Sequence, residues 1–267
     1  MPTYAAGMDL LERELPLTAL DAWLHEAAAG QGRLAFVAGE AGVGKSALVA
    51  RFCQTAAARG RARALLGACD ALSTPRPLGP LQDIALQTGG SLERLLTENV
   101  ARDRLLRAFL AELAGGLTPT LVVLEDVHWA DEATLDLLRL LGRRLEPVRC
   151  LAIVTYRDDE VGPTHPLRRV LGDLATTPSV RRLRLAPLSE AGIRTLAAGS
   201  GLDPVSLHRV TGGNPFFATE VLAAGAAMPG SIPATVRDAV LARASRLTSA
   251  GRETLEAAAV IGSPLGA

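Results

Sequence analysis

Eight consecutive residues near the amino end constrain the fold of this chain more than any other feature. They match the pattern G-x-x-x-x-G-K-[ST] and are, in order, Gly39, Glu40, Ala41, Gly42, Val43, Gly44, Lys45 and Ser46. An apolar run, residues 34–38, precedes them, and a stretch with helical character, residues 45–58, follows. Glycines let the backbone curl between a strand and a helix, so that successive N–H groups and the helix dipole point at one anion. The pattern therefore predicts a phosphate-binding loop, the P-loop.

Two side chains at the end of this loop have predicted roles. The Lys45 ammonium would reach the β- and γ-phosphates of a nucleotide, and the Ser46 hydroxyl would bind Mg²⁺. Lys45 is the only lysine among 28 basic residues, and its compact ammonium suits this position better than the broad guanidinium of arginine. We therefore predict ATP or ADP with Mg²⁺ as ligands, and contacts to the nucleotide from all eight residues.

A second anchor for Mg²⁺ is predicted at residues 121–126, which read LVVLED. Four apolar residues would form a buried strand, leaving Glu125 and Asp126 at its carboxyl end, where ligands bind in open α/β sheets. Glu125 would hold Mg²⁺, and Asp126 would orient or deprotonate the attacking water. Alternatively, these acids start the following helix or pair with arginines. The usual order of the two acids is aspartate and then glutamate. The reversed order here makes fast hydrolysis a weaker expectation than binding.

Strands and helices alternate over most of the chain, which predicts an α/β fold with a parallel sheet. Strands are expected at residues 34–38, 62–69, 121–124, 150–156 and 180–185, the last near an edge of the sheet. Helices are expected at residues 10–29, 45–58, 78–87, 92–113, 131–145 and 167–174, with Asp131 as a cap. After residue 187 the strand signals stop. Residues 188–227 are predicted to be helical with glycine breaks, and residues 232–260 to form two further helices.

Composition narrows the class of protein. Of the 267 residues 48% are hydrophobic, and 28 acidic residues balance 28 basic ones. This balance argues against nucleic acid or an anionic membrane as a direct partner of the segment. No apolar run reaches the ~18 residues needed to cross a bilayer, and the amino end does not resemble a secretory signal. The three cysteines lack metal-ligand spacing, as expected for reduced thiols in a cytoplasmic protein. We also expect the chain to be the front part of a longer protein.

One segment resembles a known family. It comprises Glu125, Asp126, Val127, His128, Trp129, Ala130 and Asp131. It resembles the (D/E)D-x-HWAD signature of the signal-transduction ATPases with numerous domains (STAND) and, more narrowly, the ATP-binding front end of large LuxR-type transcriptional regulators. Residues 11–14 (LERE), 155–160 (TYRDDE) and 212–217 (GGNPFF) resemble further segments of the same family.

The resemblance implies a P-loop NTPase fold with a parallel five-stranded sheet of order 5-1-4-3-2, flanked by helices. The ATP-binding domain would span residues 1–187, a helical lid residues 188–230, and the start of a winged-helix domain residues 231–267. Arg157, whose fork of donors suits phosphate, would sense the γ-phosphate; alternatively it is a surface arginine beside Asp158 and Asp159. Pro215 would contact the adenine; alternatively its segment is a helix stop and a turn. His128 and Trp129 are expected to pack at the rim of the sheet.

The resemblance also implies a function. Lys45, Glu125, Asp126 and Arg157 would serve a slow ATPase that switches between ADP-bound and ATP-bound states and so controls downstream sensor and DNA-binding domains. Self-association that depends on ATP is a further expectation, and the segment itself is not expected to bind DNA or a membrane. The alternative is a ring-forming AAA+ motor or loader, which needs an arginine supplied to a neighbouring subunit. Arg143 and Arg144 are candidates for that role. The GGNPFF segment argues against a third interpretation, a small-molecule kinase.

Overall fold

The computed structural model describes residues 10–72, 74–98, 100–224, 237, 238, 241, 244 and 249–261. Two compact units divide the chain, residues 1–186 and residues 187–267. The first unit contains all the strands among the described residues, and the second contributes helices.

The first unit is built around a parallel sheet of five strands. The strands are β1 (Arg33–Ala38), β2 (Arg63–Ala68), β3 (Thr120–Glu125), β4 (Cys150–Tyr156) and β5 (Val180–Arg184). They lie in the order β2-β3-β4-β1-β5, and every neighbouring pair is parallel. This is the predicted order 5-1-4-3-2 read from the other edge, so the predicted fold class is confirmed. The carboxyl ends of β1, β3 and β4 therefore lie side by side, at the same end of the parallel strands.

Helices cover both faces of the sheet. Those of the first unit are α1 (Glu14–Ala28), α2 (Lys45–Ala58), α3 (Gly79–Thr88), α4 (Gly90–Thr97), α5 (Arg102–Ala114), α6 (Glu132–Arg144) and α7 (Pro166–Asp173). Alternate residues of each strand point to opposite faces, so Leu34 and Phe36 pack in one cluster while Ala35 and Val37 pack in the other. Helices α1 and α2 cover one face, and α3 to α7 cover the other. Burial on both faces explains why β1, β3 and β4 read as continuous apolar runs.

The prediction of a single helix over residues 92–113 is wrong. The structure has two helices there, α4 and α5, and Ala101 between them has an extended backbone with φ −51° and ψ 132°. Thr97 and Val100 lie at the break, and both residue types have low helix propensity. Leu92 and Phe109 are nevertheless buried in the same cluster. The apolar spacing alone could not distinguish two helices on one core from one.

The second unit begins with three short helices, α8 (Glu190–Leu196), α9 (Pro204–Thr211) and α10 (Pro215–Ala224). A further described helix spans Ser249–Ile261. Most of the segment expected to start a winged-helix domain lies outside the described residues, so that expectation and the extent of the lid stay predictions.

Two further findings bear on the class of protein. None of the described helices is both long enough and apolar enough to span a membrane. The three cysteines, Cys53, Cys69 and Cys150, are free and buried, and burial raises the pKa of each thiol to about 12. They are therefore inert members of the core.

Candidate functional site

The loop between β1 and α2 has the backbone that its glycines predict. Gly39, Gly42 and Gly44 have positive φ angles of 154°, 82° and 101°, which side-chain-bearing residues rarely adopt. A Cβ at Gly39 would lie 2.9 Å from a methyl group of Val43 and 3.0 Å from the carbonyl oxygen of Leu185. Helix α2 starts directly at Lys45, so its free N–H groups and the positive end of its dipole face the loop.

The Lys45 side chain lies against the same loop. Its ammonium donates to the carbonyl oxygens of Gly39 at 2.7 Å and Glu40 at 2.9 Å, and only 6% of the residue is exposed. Burial lowers the pKa of Lys45, whereas the charge of Asp126 raises it and that of Arg157 lowers it. The only lysine of the chain is thus buried at the loop, within the electrostatic influence of the acids and arginine predicted for the site.

Ser46 and Glu125 meet although 79 residues separate them. The Ser46 hydroxyl, in the first turn of α2, donates to Oε2 of Glu125, the last residue of β3. Burial raises the pKa of Glu125, as does Asp126, while the hydrogen bond from Ser46 and the charge of Lys45 lower it. The two oxygens predicted to hold Mg²⁺ are therefore adjacent.

Asp126 follows β3 in a left-handed conformation, with φ 55° and ψ 42°. Its backbone N–H donates to Oγ1 of Thr155 on β4 at 3.0 Å, which fixes the turn that re-aims its side chain relative to Glu125. Burial raises the pKa of Asp126, and Arg157 and Lys45 lower it. The two consecutive acids therefore have different surroundings. Glu125 contacts Ser46, and Asp126 lies in the electrostatic field of Lys45 and Arg157.

Arg157 follows β4 and is bound on two sides. One guanidinium nitrogen donates to Oε1 of Glu160 at 2.7 Å, and the carbon at the centre of the guanidinium lies 4.7 Å from the centroid of the Trp129 ring. Asp158 pairs instead with Arg184 at 2.7 Å. The carboxylate that holds Arg157 is therefore Glu160, which sequence reasoning did not single out.

His128 lies between Asp126 and Glu160. Its side chain is 1% exposed, with Nδ1 3.8 Å from Oδ1 of Asp126 and Nε2 3.7 Å from Oε2 of Glu160. Neither ring nitrogen has a hydrogen-bond partner. Burial lowers the pKa of His128 to about 3, against the raising effect of Glu160, so the imidazole is neutral at physiological pH. The ring also packs on Trp129, with centroids 4.4 Å apart.

A second residue that sequence reasoning did not assign to the site is Arg13. Its guanidinium is buried and donates to the carbonyl oxygens of Val43 and Ala186, both at 3.0 Å. Burial lowers its pKa. The resemblance of residues 11–14 to a family segment was a signal, but nothing in the sequence showed that Arg13 binds the P-loop backbone.

These residues fit a nucleotide with Mg²⁺. The loop supplies backbone donors and an ammonium for phosphate, and Ser46 and Glu125 supply hard oxygen ligands. Among the residues that the structure describes, no group of three or more His, Cys, Asp or Glu side chains could hold a metal ion. Mg²⁺ usually takes one or two protein ligands and completes its shell with phosphates and water.

Pro215, predicted to contact adenine, lies in the second unit. There it opens α10, and the buried Asn214 accepts a hydrogen bond from the N–H of Phe216 at 3.1 Å. Gly213 has φ 72°, and a Cβ on it would lie 2.2 Å from the carbonyl oxygen of Leu188. The GGNPFF segment thus forms a helix stop and a new helix start, and the contact of Pro215 with adenine stays a prediction.

Two ORC proteins of Aeropyrum pernix share the fold of this chain. The Aeropyrum pernix ORC1 protein in complex with DNA aligns with a TM-score of 0.57 and 18% identity over 83% of this chain and 61% of its own. The Aeropyrum pernix ORC2 protein in its ADPNP–ADP complexes aligns with a TM-score of 0.54 and 18% identity, over 80% and 62%. A STAND protein with a tetratricopeptide repeat sensor from Pyrococcus horikoshii aligns with a TM-score of 0.48 and 17% identity, over 86% and 32%.

At identities this low, the likeness to the two ORC proteins shows a shared fold alone, and the chain spans about three fifths of their length. Among curated proteins, none matches the chain at a significant level. The model of the family described as "AAA ATPase domain" matches residues 9–154. This match includes the glycine loop, Lys45, Ser46, Glu125 and Asp126, and it covers more than half of the 267 residues. The chain therefore belongs to the AAA ATPase domain family.

Proposed function

We propose that this chain is the ATP-binding switch domain of a bacterial LuxR-type transcriptional regulator, a slow ATPase of the STAND type. In this proposal ADP holds one conformation and ATP another, and the exchange controls downstream sensor and DNA-binding domains. The observation that carries the proposal is the Ser46–Glu125 hydrogen bond beside the Lys45-bearing loop. It joins the phosphate loop to the proposed Mg²⁺ ligand on the neighbouring part of the sheet.

The roles of the individual residues follow from this geometry. The N–H groups of residues 39–46 would bind the phosphates, with Lys45 on the β- and γ-phosphates and Ser46 and Glu125 on Mg²⁺. Bound Mg²⁺ would neutralise charge on the phosphate oxygens. Lys45 would have to exchange the carbonyls of Gly39 and Glu40 for phosphate oxygens, since those carbonyls are its partners at 2.7 and 2.9 Å.

Slow turnover is supported by the second acid. Asp126 occupies the position proposed to orient the attacking water, with a side chain one methylene shorter than glutamate. Burial raises its pKa, while Lys45 and Arg157 lower it. An aspartate side chain has less reach than a glutamate towards a water at the γ-phosphate. Hydrolysis that is slow compared with binding suits a switch, because the ATP state then persists long enough to act on other domains.

A ring-forming AAA+ motor or loader remains the second candidate, and the likeness to the ORC1 protein in complex with DNA favours it. This likeness is one of fold, which the switch would share. Arg143 and Arg144, the arginines considered for a neighbouring subunit, are exposed at the end of α6. The carbonyl of Glu146, just beyond them, accepts a hydrogen bond from the N–H of Gly32, which precedes β1. The two arginines therefore lie near the amino ends of the strands. They could act only on a second subunit.

The experiment that tests the proposal identifies the nucleotide that the purified chain carries. We expect the wild-type protein, once denatured, to release stoichiometric ADP, and the Lys45→Ala variant to release none. Arg51→Ala, which removes an exposed basic residue from the same helix, should retain the nucleotide. An empty wild-type protein with fast turnover would favour the motor, and failure to bind added Mg-ATP would contradict nucleotide binding altogether.

A further inference from the structure

The Arg157 guanidinium already has two partners at the carboxyl end of β4. Its guanidinium donates to Glu160 at 2.7 Å and lies over Trp129, and the side chains of Arg157 and Glu160 are only 23% and 19% exposed. An ion pair this sheltered from water is stronger than a surface pair. A γ-phosphate would therefore compete with Glu160 for the same guanidinium.

His128 lies on the other side of the Glu160 carboxylate from Arg157. Its Nε2 lies 3.7 Å from the other carboxylate oxygen of Glu160, and it has no hydrogen-bond partner. A buried ring nitrogen without a partner is rare because it costs free energy. Closing this gap to a normal hydrogen bond takes a shift of roughly 0.8 Å. The imidazole thus stands where it could donate to Glu160 once Arg157 has left.

We propose that Glu160 is a positioning residue that holds Arg157 away from the γ-phosphate, and that His128 takes over the Glu160 carboxylate when Arg157 transfers to phosphate. This inference rests on the proposed function. It explains how the site distinguishes ATP from ADP by one exchange, in which Glu160 changes its partner from Arg157 to His128. ADP lacks the γ-phosphate and leaves Arg157 on Glu160. A triphosphate draws Arg157 away from Glu160. Breaking the Arg157–Glu160 pair costs free energy, and the new His128–Glu160 hydrogen bond offsets part of that cost.

The proposal singles out Glu160 among the acids that follow β4. Asp158 is already paired with Arg184 at 2.7 Å. Asp126, the other carboxylate beside His128, faces Nδ1 rather than Nε2. A neutral imidazole has one N–H, so the Nε2–H tautomer that donates to Glu160 leaves Nδ1 with no proton to donate to Asp126. The exchange therefore couples the sensor arginine to the surroundings of the proposed water-orienting acid.

The test measures the dissociation constants of ADP and of the triphosphate analogue ADPNP, both with Mg²⁺, by calorimetry. In Glu160→Gln we expect ADPNP to bind about fivefold more tightly than in wild type, because a neutral amide holds Arg157 less strongly. ADP affinity should stay unchanged. In an Arg157→Ala background, Glu160→Gln should have no effect. Asp136→Asn is the matched control, since it weakens another carboxylate–arginine pair at i,i+3, with Arg139 at 2.9 Å, on α6.

His128 is tested by a pair of variants. His128→Leu removes the donor and should weaken ADPNP binding by about fivefold with ADP affinity unchanged, whereas His128→Gln keeps an N–H at the reach of Nε2 and should restore most of it. Unfolding midpoints identify any variant that is merely destabilised, and such a variant should lose ADP binding as well.

Two results would overturn the inference. One is unchanged or weaker ADPNP binding in Glu160→Gln while ADP binds normally, and the other is a gain that persists without Arg157. Failure of the proposed function looks different, because neither nucleotide would then bind the wild type, or Lys45→Ala would bind both as the wild type does.

Discussion

The glycine loop and the ends of β3 and β4 face the same proposed phosphate position, but they are made differently. The loop, residues 39–44, is shaped by backbone: positive φ angles at three glycines and carbonyls that hold Lys45. The β3–β4 edge is shaped by buried side chains; we use this name for Glu125, Asp126, His128, Trp129, Arg157 and Glu160. The loop is a local structure set by consecutive residues, whereas the edge needs the fold to bring two strands together.

The two regions should therefore fail differently. Damage to the loop should abolish binding of every nucleotide, because all phosphates use its backbone. Damage to the β3–β4 edge should change which nucleotide is preferred, because Arg157 and its partners act only where a γ-phosphate is present. The effects of substitution should be largest in the loop and smaller at the β3–β4 edge.

Gly39→Ala should be the most damaging of these changes. The added Cβ would meet Val43 at 2.9 Å and the Leu185 carbonyl at 3.0 Å, at φ 154°. We expect unfolding free energy to fall by about 3 kcal/mol from strain and overpacking together, and nucleotide binding to be lost. The matched control is Gly30→Ala, where φ is 84° but nothing lies within 4 Å of the new Cβ. That variant should lose only about 1 kcal/mol and bind ADP normally, as urea denaturation and calorimetry would show.

Arg13→Ala tests whether a side chain from outside the loop holds it in place. Loss of the guanidinium leaves the buried carbonyl of Val43 without this donor, and a hydrogen bond from a charged group to a buried acceptor is worth about 2 kcal/mol. We expect a loss of that size in unfolding free energy and weaker binding of ADP and ATP alike. Arg149→Ala is the control, because that arginine also donates to two carbonyls, of Ala28 and Leu117, but from an exposed position. Equal losses in both variants would contradict a special role for Arg13.

The same contrast explains how much of the site the sequence could predict. Gly39, Lys45 and Ser46 belong to one contiguous pattern whose backbone follows from its glycines, and the apolar runs of β1, β3 and β4 predicted a buried parallel sheet. The partner of Arg157 could not be derived, since Asp158 and Asp159 are nearer in sequence and only the turn after β4 brings Glu160 to the guanidinium. Arg13 was equally hidden, because its acceptors are backbone carbonyls 30 and 173 residues away.

His128 should give the β3–β4 edge a pH signature. Its pKa is about 3 in the folded protein and about 6.5 in an unfolded chain. As the pH falls below 6.5, His128 binds a proton in the unfolded state but not in the folded state, so the free energy of unfolding falls. Between pH 7 and pH 5 the wild type should lose about 2 kcal/mol more unfolding free energy than His128→Leu. Glu125 and Asp126 have raised pKa values, which act in the opposite direction, but both proteins share them. Parallel pH profiles would show that His128 titrates normally.

Trp129→Leu should have the smallest effect and is the finest probe of the edge. The indole face lies under the Arg157 guanidinium at 4.7 Å, and such a contact is worth about 0.5–1 kcal/mol. Its removal leaves Glu160 as partner but weakens the hold on Arg157. ADPNP should then bind about twofold to fivefold more tightly, with ADP affinity unchanged. Trp23→Leu, a half-buried tryptophan on α1 against the other core cluster, should alter neither affinity. A fall in ADPNP affinity in Trp129→Leu would mean that the ring instead directs Arg157 towards the phosphate.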